Sequence, residues 1–195
     1  MATEPTTART VLPGAPPFSV DDLLKFPDDG NRYELFNGSL LVSPAPTPLH
    51  QLAITRALHL LQLAAPPELE PLSTVNLRVS PDSFYIPDLV VVAADAIESV
   101  ELMFAPEHIR LAVEIVSPST KIRDRGFKAE AYAAAKIPVY WRIELDEGPS
   151  LYVYELDGDD YGPPVSYKAG AAASPASPFP VTFDPGDLIG RRARP

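Results

Sequence analysis

The chain has 195 residues, which is typical of one domain with its own hydrophobic core, and 46% of them are hydrophobic. It contains no cysteine, which excludes disulfides, zinc ribbons and thiol nucleophiles. The formal net charge of −10 argues against tight binding to nucleic acid, because phosphate groups are bound by positive surfaces.

The N-terminal stretch is polar and proline-rich without periodicity, so we predict a disordered tail over residues 1–17 and no secretory signal. The longest apolar run, at 89–94, is too short to span a bilayer. We therefore expect a cytoplasmic protein without membrane contact. A folded domain is predicted over 18–169, followed by a proline- and alanine-rich C-terminal extension over 170–195.

The first half of the chain predicts a short helix, a hairpin, a longer helix and a half-buried strand, over residues 19–26, 31–44, 47–64 and 73–80. Ser19 is placed to cap the first helix. Asn37 and Gly38 stand between two apolar stretches, which is a strong signal for a hairpin turn. Two consecutive prolines, Pro66 and Pro67, end the second helix.

The second half predicts two buried strands, an alanine-rich helix and three further strands, over residues 85–93, 111–117, 123–136, 137–145, 151–156 and 161–168. Pro87 is expected at a strand start or a sheet edge, because proline cannot donate to the ladder. The alternation of helices and strands indicates an α/β fold, with a mixed β-sheet flanked by helices.

Three acidic residues occupy apolar strand contexts. Glu114 lies inside the run LAVEIV, where an unpaired carboxylate would be costly to bury. Asp88 precedes LVVV, and Glu34 lies inside YELF beside the hairpin turn. If these acids converge, protons or a cation must relieve their repulsion. Magnesium suits such a set, because it prefers oxygen ligands.

Each acid also has an ordinary interpretation. Glu34 is equally compatible with a strand residue that faces water, and Asp88 with a turn or strand-start residue. Glu114 could form a structural ion pair with an arginine.

A basic segment follows the Glu114 strand. Residues 121–136 contain five basic residues against two acidic ones, a net charge of +3. Lys128 stands four residues after Asp124, which fits an ordinary helix ion pair, or else its ammonium points at the acids. Tyr132 lies one turn further on the same face and could hydrogen-bond nearby. His50, at the start of the second helix, is either a helix-start residue or a neighbour of the site.

Several stretches of the chain together resemble one known family. They are YELFNG (33–38), PAPTPLHQ (44–51), PDLVVV (87–92), VEIVSPST (113–120) with the later Lys128, and IPVYW (137–141). This combination resembles the Uma family of restriction endonucleases, which belongs to the PD-(D/E)XK nuclease superfamily. The resemblance extends from about residue 19 to about residue 168.

The resemblance implies a restriction-endonuclease-like fold over the domain at 18–169, with a divalent metal, Mg²⁺ or Mn²⁺, held by acids at strand ends. By matching position, Asp88 is the acid of the PD motif and Glu114 that of the E-x-K motif. Glu34 matches an acid that the superfamily often supplies from an early element. The metal ligands expected from this match are Asp88, Glu114 and the Ile115 carbonyl.

The chain departs from the superfamily pattern at one position. The lysine expected two residues after Glu114 is replaced by Val116. Lys128, on the following helix, can supply the same charge if its side chain reaches the same point.

Two functions follow from these observations. The first is a metal-dependent endonuclease that cleaves DNA, with Glu34, Asp88, Glu114 and Lys128 as catalytic residues, and with a homodimer that joins two basic segments. The second is a non-catalytic binding or assembly module with the nuclease fold, which the net charge of −10 favours. A glycosidase is disfavoured, because nothing in the sequence indicates a sugar cleft.

Overall fold

The computed structural model describes residues 12–43, 45–116, 121–146 and 148–190, and it describes side chains from residue 127 onwards in the helix that starts at Lys121. The helices are α1 (Val20–Leu23), α2 (Pro48–Ala64), α3 (Ala96–Ser99) and α4 (Lys121–Ala134). The strands are β1 (Arg32–Phe36), β2 (Ser39–Ser43), β3 (Leu69–Ser73), β4 (Leu77–Ser80), β5 (Ser83–Tyr85), β6 (Leu89–Ala93), β7 (Ile109–Val116), β8 (Val139–Glu144), β9 (Ser150–Asp157), β10 (Asp160–Tyr161) and β11 (Val165–Lys168).

The strands form two sheets. The smaller one has the order β2-β1-β5-β4, and the larger one has the order β10-β9-β8-β7-β6-β3, with β11 also paired to β9. In the larger sheet β7 and β8 are parallel, and helix α4 makes the crossover between them. The pairs β3–β6, β6–β7 and β8–β9 are antiparallel. The predicted α/β class with a mixed sheet is therefore confirmed.

The local signals at the start of the domain act as predicted. The Ser19 hydroxyl accepts a hydrogen bond from the Asp22 N–H, and the Asp22 carboxylate accepts one from the Ser19 N–H, which forms a capping box for α1. At the β1–β2 turn, Asn37 and Gly38 have φ angles of 47° and 76°, the positive values that a two-residue hairpin turn requires.

Gly38 is also the point where the chain start packs on the hairpin. A Cβ atom at Gly38 would lie 2.6 Å from the Pro17 Cβ, and Phe18 N–H donates to the Gly38 carbonyl. We expect Gly38→Ala to lower the free energy of unfolding by about 2–3 kcal/mol, because it adds a steric clash to backbone strain. The matched control is Gly158→Ala, where φ is 67° but no heavy atom lies within 4 Å of the added Cβ.

Urea denaturation of Gly38→Ala and Gly158→Ala measures the decrease in the free energy of unfolding for each variant. The control should lose about 1 kcal/mol from backbone strain alone. Equal losses in the two variants would show that Pro17 does not restrict the turn.

Two predicted strands are each divided between the sheets. In the strand predicted over 73–80, Ser73 is the last residue of β3, and β4 begins only at Leu77. Thr74, which lies between the two strands, has a φ angle of 58°. Strand β3 itself was not predicted, because LEPLS shows neither alternation nor β-branched residues.

The strand predicted over 85–93 is likewise split. Tyr85 ends β5 in the smaller sheet, and Leu89 begins β6 in the larger one. Pro87 and Asp88 lie between them, because a proline without an N–H suits the passage from one sheet to the other. This division places Asp88 at the end of a strand rather than inside it.

The larger sheet carries a hydrophobic core on each face. Leu111, Val113 and Ile115 pack with α2 on one face, whereas Ala112 packs with Tyr132 of α4 on the other. Successive residues of β7 therefore face opposite sides of the sheet, and every residue from Leu111 to Val116 is buried, as predicted for this strand.

The C-terminal segment after residue 169 also contributes to the core. Its side chains buried on the α2 face are Ala173, Phe179, Val181, Phe183 and Leu188. The part of the predicted N-terminal tail up to residue 11 lies outside the described residues. In the described part of the chain, no helix is long and apolar enough to cross a membrane.

Candidate active site

Glu34 lies in β1 of the smaller sheet and is buried, with 5% exposure. Its Oε1 accepts hydrogen bonds from the Ile86 N–H at 2.9 Å and from Lys128 Nζ at 2.6 Å. The Ser43 hydroxyl lies 3.5 Å from Oε2. The alternative of a strand residue that faces water is therefore wrong for Glu34.

Glu114 lies in β7 of the larger sheet and is also buried, on the face covered by α4. Its Oε1 accepts a hydrogen bond from the Tyr132 hydroxyl at 2.5 Å, and Lys128 Nζ lies 3.0 Å from the same oxygen. The cation beside Glu114 is thus Lys128, whereas the alternative considered from the sequence was an ion pair with an arginine.

Lys128 joins the two sheets. Helix α4 covers the larger sheet, and the Lys128 side chain extends from it between Glu34 and Glu114 with 2% exposure of the residue. The rings of Phe36, Tyr85 and Tyr132 lie 5.6, 5.4 and 5.8 Å from Nζ, close enough for cation–π attraction. The Asp124 side chain, the alternative partner, lies outside the described residues.

A second group lies at the end of β6. Asp88 Oδ2 accepts a hydrogen bond from the Ile115 N–H at 2.8 Å. His50, in the first turn of α2, has its Nε2 2.9 Å from the Ile115 carbonyl oxygen and 3.3 Å from Asp88 Oδ2. Because Glu114 and Ile115 are consecutive in β7, this group adjoins the Lys128 group.

Strand register explains why Ile115 needs these side-chain partners. Strand β6 begins at Leu89, which pairs with Val113, so β7 continues for further residues without a β6 neighbour. The peptide groups of Ile115 on that side would be left unpaired, and Asp88 and His50 bond to them instead. The gap at the start of β6 is thus where Asp88 and His50 meet the peptide groups of Ile115.

The electrostatics of the site are governed by burial. Burial raises the pKa of Glu114 to about 8, and although Lys128 opposes this rise, Asp88 and Glu34 add to it. Burial alone would lower the pKa of Lys128, but the carboxylates of Glu114 and Glu34 outweigh it and raise that pKa. Burial and Glu114 raise the pKa of the Tyr132 hydroxyl well above its usual value. The two carboxylates therefore favour the charged form of Lys128.

The donor atoms fit a divalent metal. Among the described residues, no group of three or more acidic or histidine side chains is already gathered around one point. Magnesium, however, commonly takes only one or two protein carboxylates, with water and substrate oxygens. Asp88, Glu114 and the Ile115 carbonyl supply oxygen donors of this kind.

The basic segment contributes less surface charge than its sequence suggests. Lys128 is buried, and Lys136 forms an exposed ion pair with Asp159. The side chains of Lys121, Arg123 and Arg125 lie outside the described residues. Val116, where the superfamily pattern has its lysine, is buried with 2% exposure.

One residue near the site was not predicted from the sequence. Arg142 of β8 is the register neighbour of Glu114 and is buried. Its Nε lies 3.1 Å from Glu144 Oε1, and its guanidinium lies 4.4 Å from the centre of the Tyr152 ring. The available signal was a charged residue inside the apolar strand VYWRIE, the same pattern that drew attention to Glu114.

The fold has a solved relative. A crystal structure described as a "putative nuclease belonging to DUF820" from Anabaena variabilis superposes with a TM-score of 0.71. The two chains are 19% identical, and the match covers 88% of this chain and 97% of the other. This similarity shows a shared fold. Among curated proteins, none matches the chain.

A family model matches most of the sequence. The matched region, residues 20–186, starts at α1 and ends in the C-terminal segment that packs on the core. The model is that of Uma2, which is described as "Putative restriction endonuclease". The match covers both strands that carry Glu34 and Glu114, and also Asp88 and Lys128. The chain therefore belongs to the Uma2 family of restriction-endonuclease-like nucleases.

Proposed function

We propose that the protein is a metal-dependent endonuclease that hydrolyses phosphodiester bonds, with DNA as its substrate. The observation that carries this proposal is the position of Lys128, whose Nζ lies 2.6 Å from Glu34 and 3.0 Å from Glu114. A fixed ammonium beside acids and a strand-end carbonyl matches the chemistry that phosphodiester cleavage requires. The family and the fold both support a nuclease.

In this proposal Asp88, Glu114 and the Ile115 carbonyl hold Mg²⁺ or Mn²⁺. When bound, such an ion lowers the pKa of water and offsets charge on the phosphate. Asp88 is held in place by the Ile115 N–H, at 2.8 Å from Oδ2. Tyr132 donates to Glu114 and so orients its carboxylate.

Lys128 supplies the cation that Val116 cannot. Its charge offsets the developing charge of the phosphate or orients the attacking water. Glu34 fixes this ammonium, and the Ile86 N–H in turn fixes Glu34 through the same oxygen, Oε1. Glu34 is thus a positioning residue for Lys128, whereas the sequence match alone gave it a general catalytic role.

The overall charge of −10 opposes the approach of DNA. The three basic residues at 121, 123 and 125 stand close to Lys128 in sequence, and we assign contacts with a nucleic-acid backbone to them. A homodimer would double this set of charges, and we keep it as part of the proposal.

Cleavage of supercoiled plasmid with Mg²⁺ or Mn²⁺ tests the function. We expect wild type to nick or linearise the plasmid, and we expect Asp88→Asn and Glu114→Gln to reduce the rate about 100-fold or more. Glu130→Gln removes an exposed carboxylate from α4 and is the matched control, with a rate close to that of wild type. Circular dichroism verifies that each variant is folded.

Equal cleavage by wild type and both site variants would contradict the residue assignment. Single-stranded DNA and RNA, assayed in parallel, show whether duplex DNA is the preferred substrate. Cleavage of RNA alone would contradict the DNA substrate while leaving the nuclease site intact.

A non-catalytic binding module remains the second candidate. It is favoured by the complete burial of the Lys128 ammonium between Glu34 and Glu114, since such a cation can serve the fold alone. Calorimetric titration with Mn²⁺ separates the two candidates. Absence of binding at millimolar Mn²⁺, together with absence of cleavage, would support the non-catalytic module.

A further inference from the structure

The outer edge of β2 carries backbone groups that β1 does not pair. The smaller sheet has the order β2-β1-β5-β4, and in the described part of the chain no strand lies beyond β2. In a hairpin with a two-residue turn, the pair that flanks the turn, here Phe36 and Ser39, is hydrogen-bonded, and the pairs alternate from there. Leu40 and Val42 therefore direct their N–H and C=O groups away from β1. These four groups can bond only to solvent or to another strand.

The pairing on the other side of β1 supports this assignment. Leu35, which stands opposite Leu40, also pairs with Phe84 of β5. The backbone groups of Leu35 therefore point towards β5 and away from β2, as they must if Leu35 and Leu40 form a pair without hydrogen bonds.

Other edge strands contain residues that block pairing, whereas β2 does not. In the larger sheet, β3 contains Glu70 and Pro71, and β11 contains Lys168. At the other edge of the smaller sheet, β4 contains Arg78, whose N–H donates to the Phe104 carbonyl. The sequence of β2, SLLVS, has no charged residue and no proline. An apolar edge without such residues is a template for pairing with a strand of another chain.

We propose that β2 forms the interface of a homodimer, in which it pairs antiparallel with β2 of a second copy across a two-fold axis at Leu41. This register sets Leu40 opposite the partner's Val42, and Val42 opposite the partner's Leu40. All four outward backbone groups of each copy are then hydrogen-bonded. The edge is thus complementary to itself, which a closed two-fold dimer requires.

The two neighbouring registers satisfy fewer groups. An axis at Leu40 would set Val42 against Gly38, whose N–H and carbonyl already bond to other backbone groups of the same chain. An axis at Val42 would set Leu40 against Pro44, which has no N–H to donate. The register with its axis at Leu41 is therefore favoured.

The side chains at this edge suit the same partner. Val42 is 46% exposed and would contact the partner's Leu40 directly across the pair. Leu41 and Phe127 line a groove of about 1290 Å³ between the smaller sheet and α4, and Phe127 is 61% exposed. The two Leu41 side chains, meeting at the axis beside this ring, would bury apolar surface that a single copy leaves open.

This interface specifies the homodimer of the proposed function, and its effect on the active sites rests on that function. Glu34 pairs with Leu41, so Glu34, Leu41 and their two copies in the partner would lie in one row across four strands. The Cα atoms of the two Glu34 residues would be about 14 Å apart, which is three strand spacings. Both Glu34 side chains would lie on the same face of the joined sheet, so the dimer presents its two sites in the same direction.

Cross-linking tests the register, because the chain contains no cysteine of its own. In a pair without hydrogen bonds the Cα atoms lie about 4.5 Å apart, within reach of a disulfide. We therefore expect Leu41→Cys to form a covalent dimer on oxidation. Val42→Cys is the matched control, since Val42 is the more exposed position but its two copies would be about 7–8 Å apart, too far for an efficient disulfide.

Sedimentation equilibrium of the full chain tests the dimer itself. Wild type should be dimeric at high micromolar concentration, and Val42→Lys should be monomeric, because it places a charge at the edge. Val165→Lys is the matched control, since Val165 is 56% exposed in the edge strand β11, and it should stay dimeric. Circular dichroism verifies that each variant is folded.

The outcomes separate this interface from the proposed function. A monomeric wild type, a dimer that survives Val42→Lys, or equal cross-linking of the two cysteine variants would each overturn the interface. Plasmid cleavage by a monomeric wild type would leave the nuclease standing without it. A dimer with the expected cross-link but without cleavage would keep the interface and overturn the nuclease.

Discussion

Replacing Lys128 with methionine is expected to lower the free energy of unfolding by about 3–5 kcal/mol, the usual cost of removing one partner of a buried ion pair. Lys128 is 2% exposed and contacts two buried carboxylates from different sheets. Methionine fills a similar volume but leaves the Glu34 carboxylate buried without a cation, and it removes the ammonium that Glu114 contacts. The decrease in the free energy of unfolding is the cost of burying acids whose cation has been removed. Urea denaturation, followed by the fluorescence of Trp141, measures it.

The matched control for this variant is Lys136→Met. Lys136 pairs with Asp159 at the surface, with 52% and 95% exposure of the two side chains, so its removal should cost less than about 1 kcal/mol. A rescue variant adds Glu34→Gln and Glu114→Gln to Lys128→Met and should recover most of the lost stability, because no acid is then left beside a missing cation. A loss of under 1 kcal/mol for Lys128→Met itself would show that water reaches the two carboxylates.

The second large effect is the pH dependence that Glu114 imposes on stability. Burial raises the pKa of Glu114 to about 8, whereas in the unfolded chain the carboxyl titrates near 4.5. Between these values the folded state holds a proton that the unfolded state has released, so the free energy of unfolding falls as pH rises. The favourable contribution is complete below pH 4.5 and is lost as pH rises to about 8.

Glu114→Gln removes this titration but retains an oxygen for Tyr132 and Lys128. We therefore expect the difference in unfolding free energy, wild type minus variant, to fall by a few kcal/mol between pH 4.5 and 8. Outside that window the difference should be constant. Glu130→Gln controls for the loss of one negative charge from an exposed position. A difference independent of pH would show that Glu114 is ionised throughout.

Lys128→Met and Asp88→Asn together report on the proposed chemistry. In the proposed mechanism the Lys128 group supplies the charge that a scissile phosphate needs and also stabilises the fold, so loss of stability and loss of cleavage should coincide for Lys128→Met. Asp88 lies outside that group and contacts Ile115 and His50 instead. Asp88→Asn should therefore impair cleavage with a smaller effect on stability, which separates metal binding from the structural role of the lysine.

Local sequence was sufficient for most of the secondary structure. The capped α1, the Asn37–Gly38 hairpin and the alternating faces of β7 follow from short-range rules of capping, turn geometry and strand periodicity. The same rules missed β3 and joined strands that belong to different sheets. A chain that leaves one sheet and enters the next stays extended, so its local pattern does not change at the boundary.

For the site, the sequence determined which side chains required explanation. A carboxylate in an apolar strand cannot be buried without compensation, and this rule selected Glu34, Asp88 and Glu114 without any knowledge of their neighbours. It did not determine the partners: Lys128 lies 94 residues from Glu34 in sequence, and Asp88 lies 27 from Ile115.

Only the tertiary structure decided that Lys128 joins Glu34 to Glu114, while Asp88 and His50 complete the unpaired end of β7. The physical reason is that strand periodicity assigns a residue only to one face of a sheet. Which element covers that face depends on the crossover of α4, on the packing of α2 and on the residue at which β6 begins.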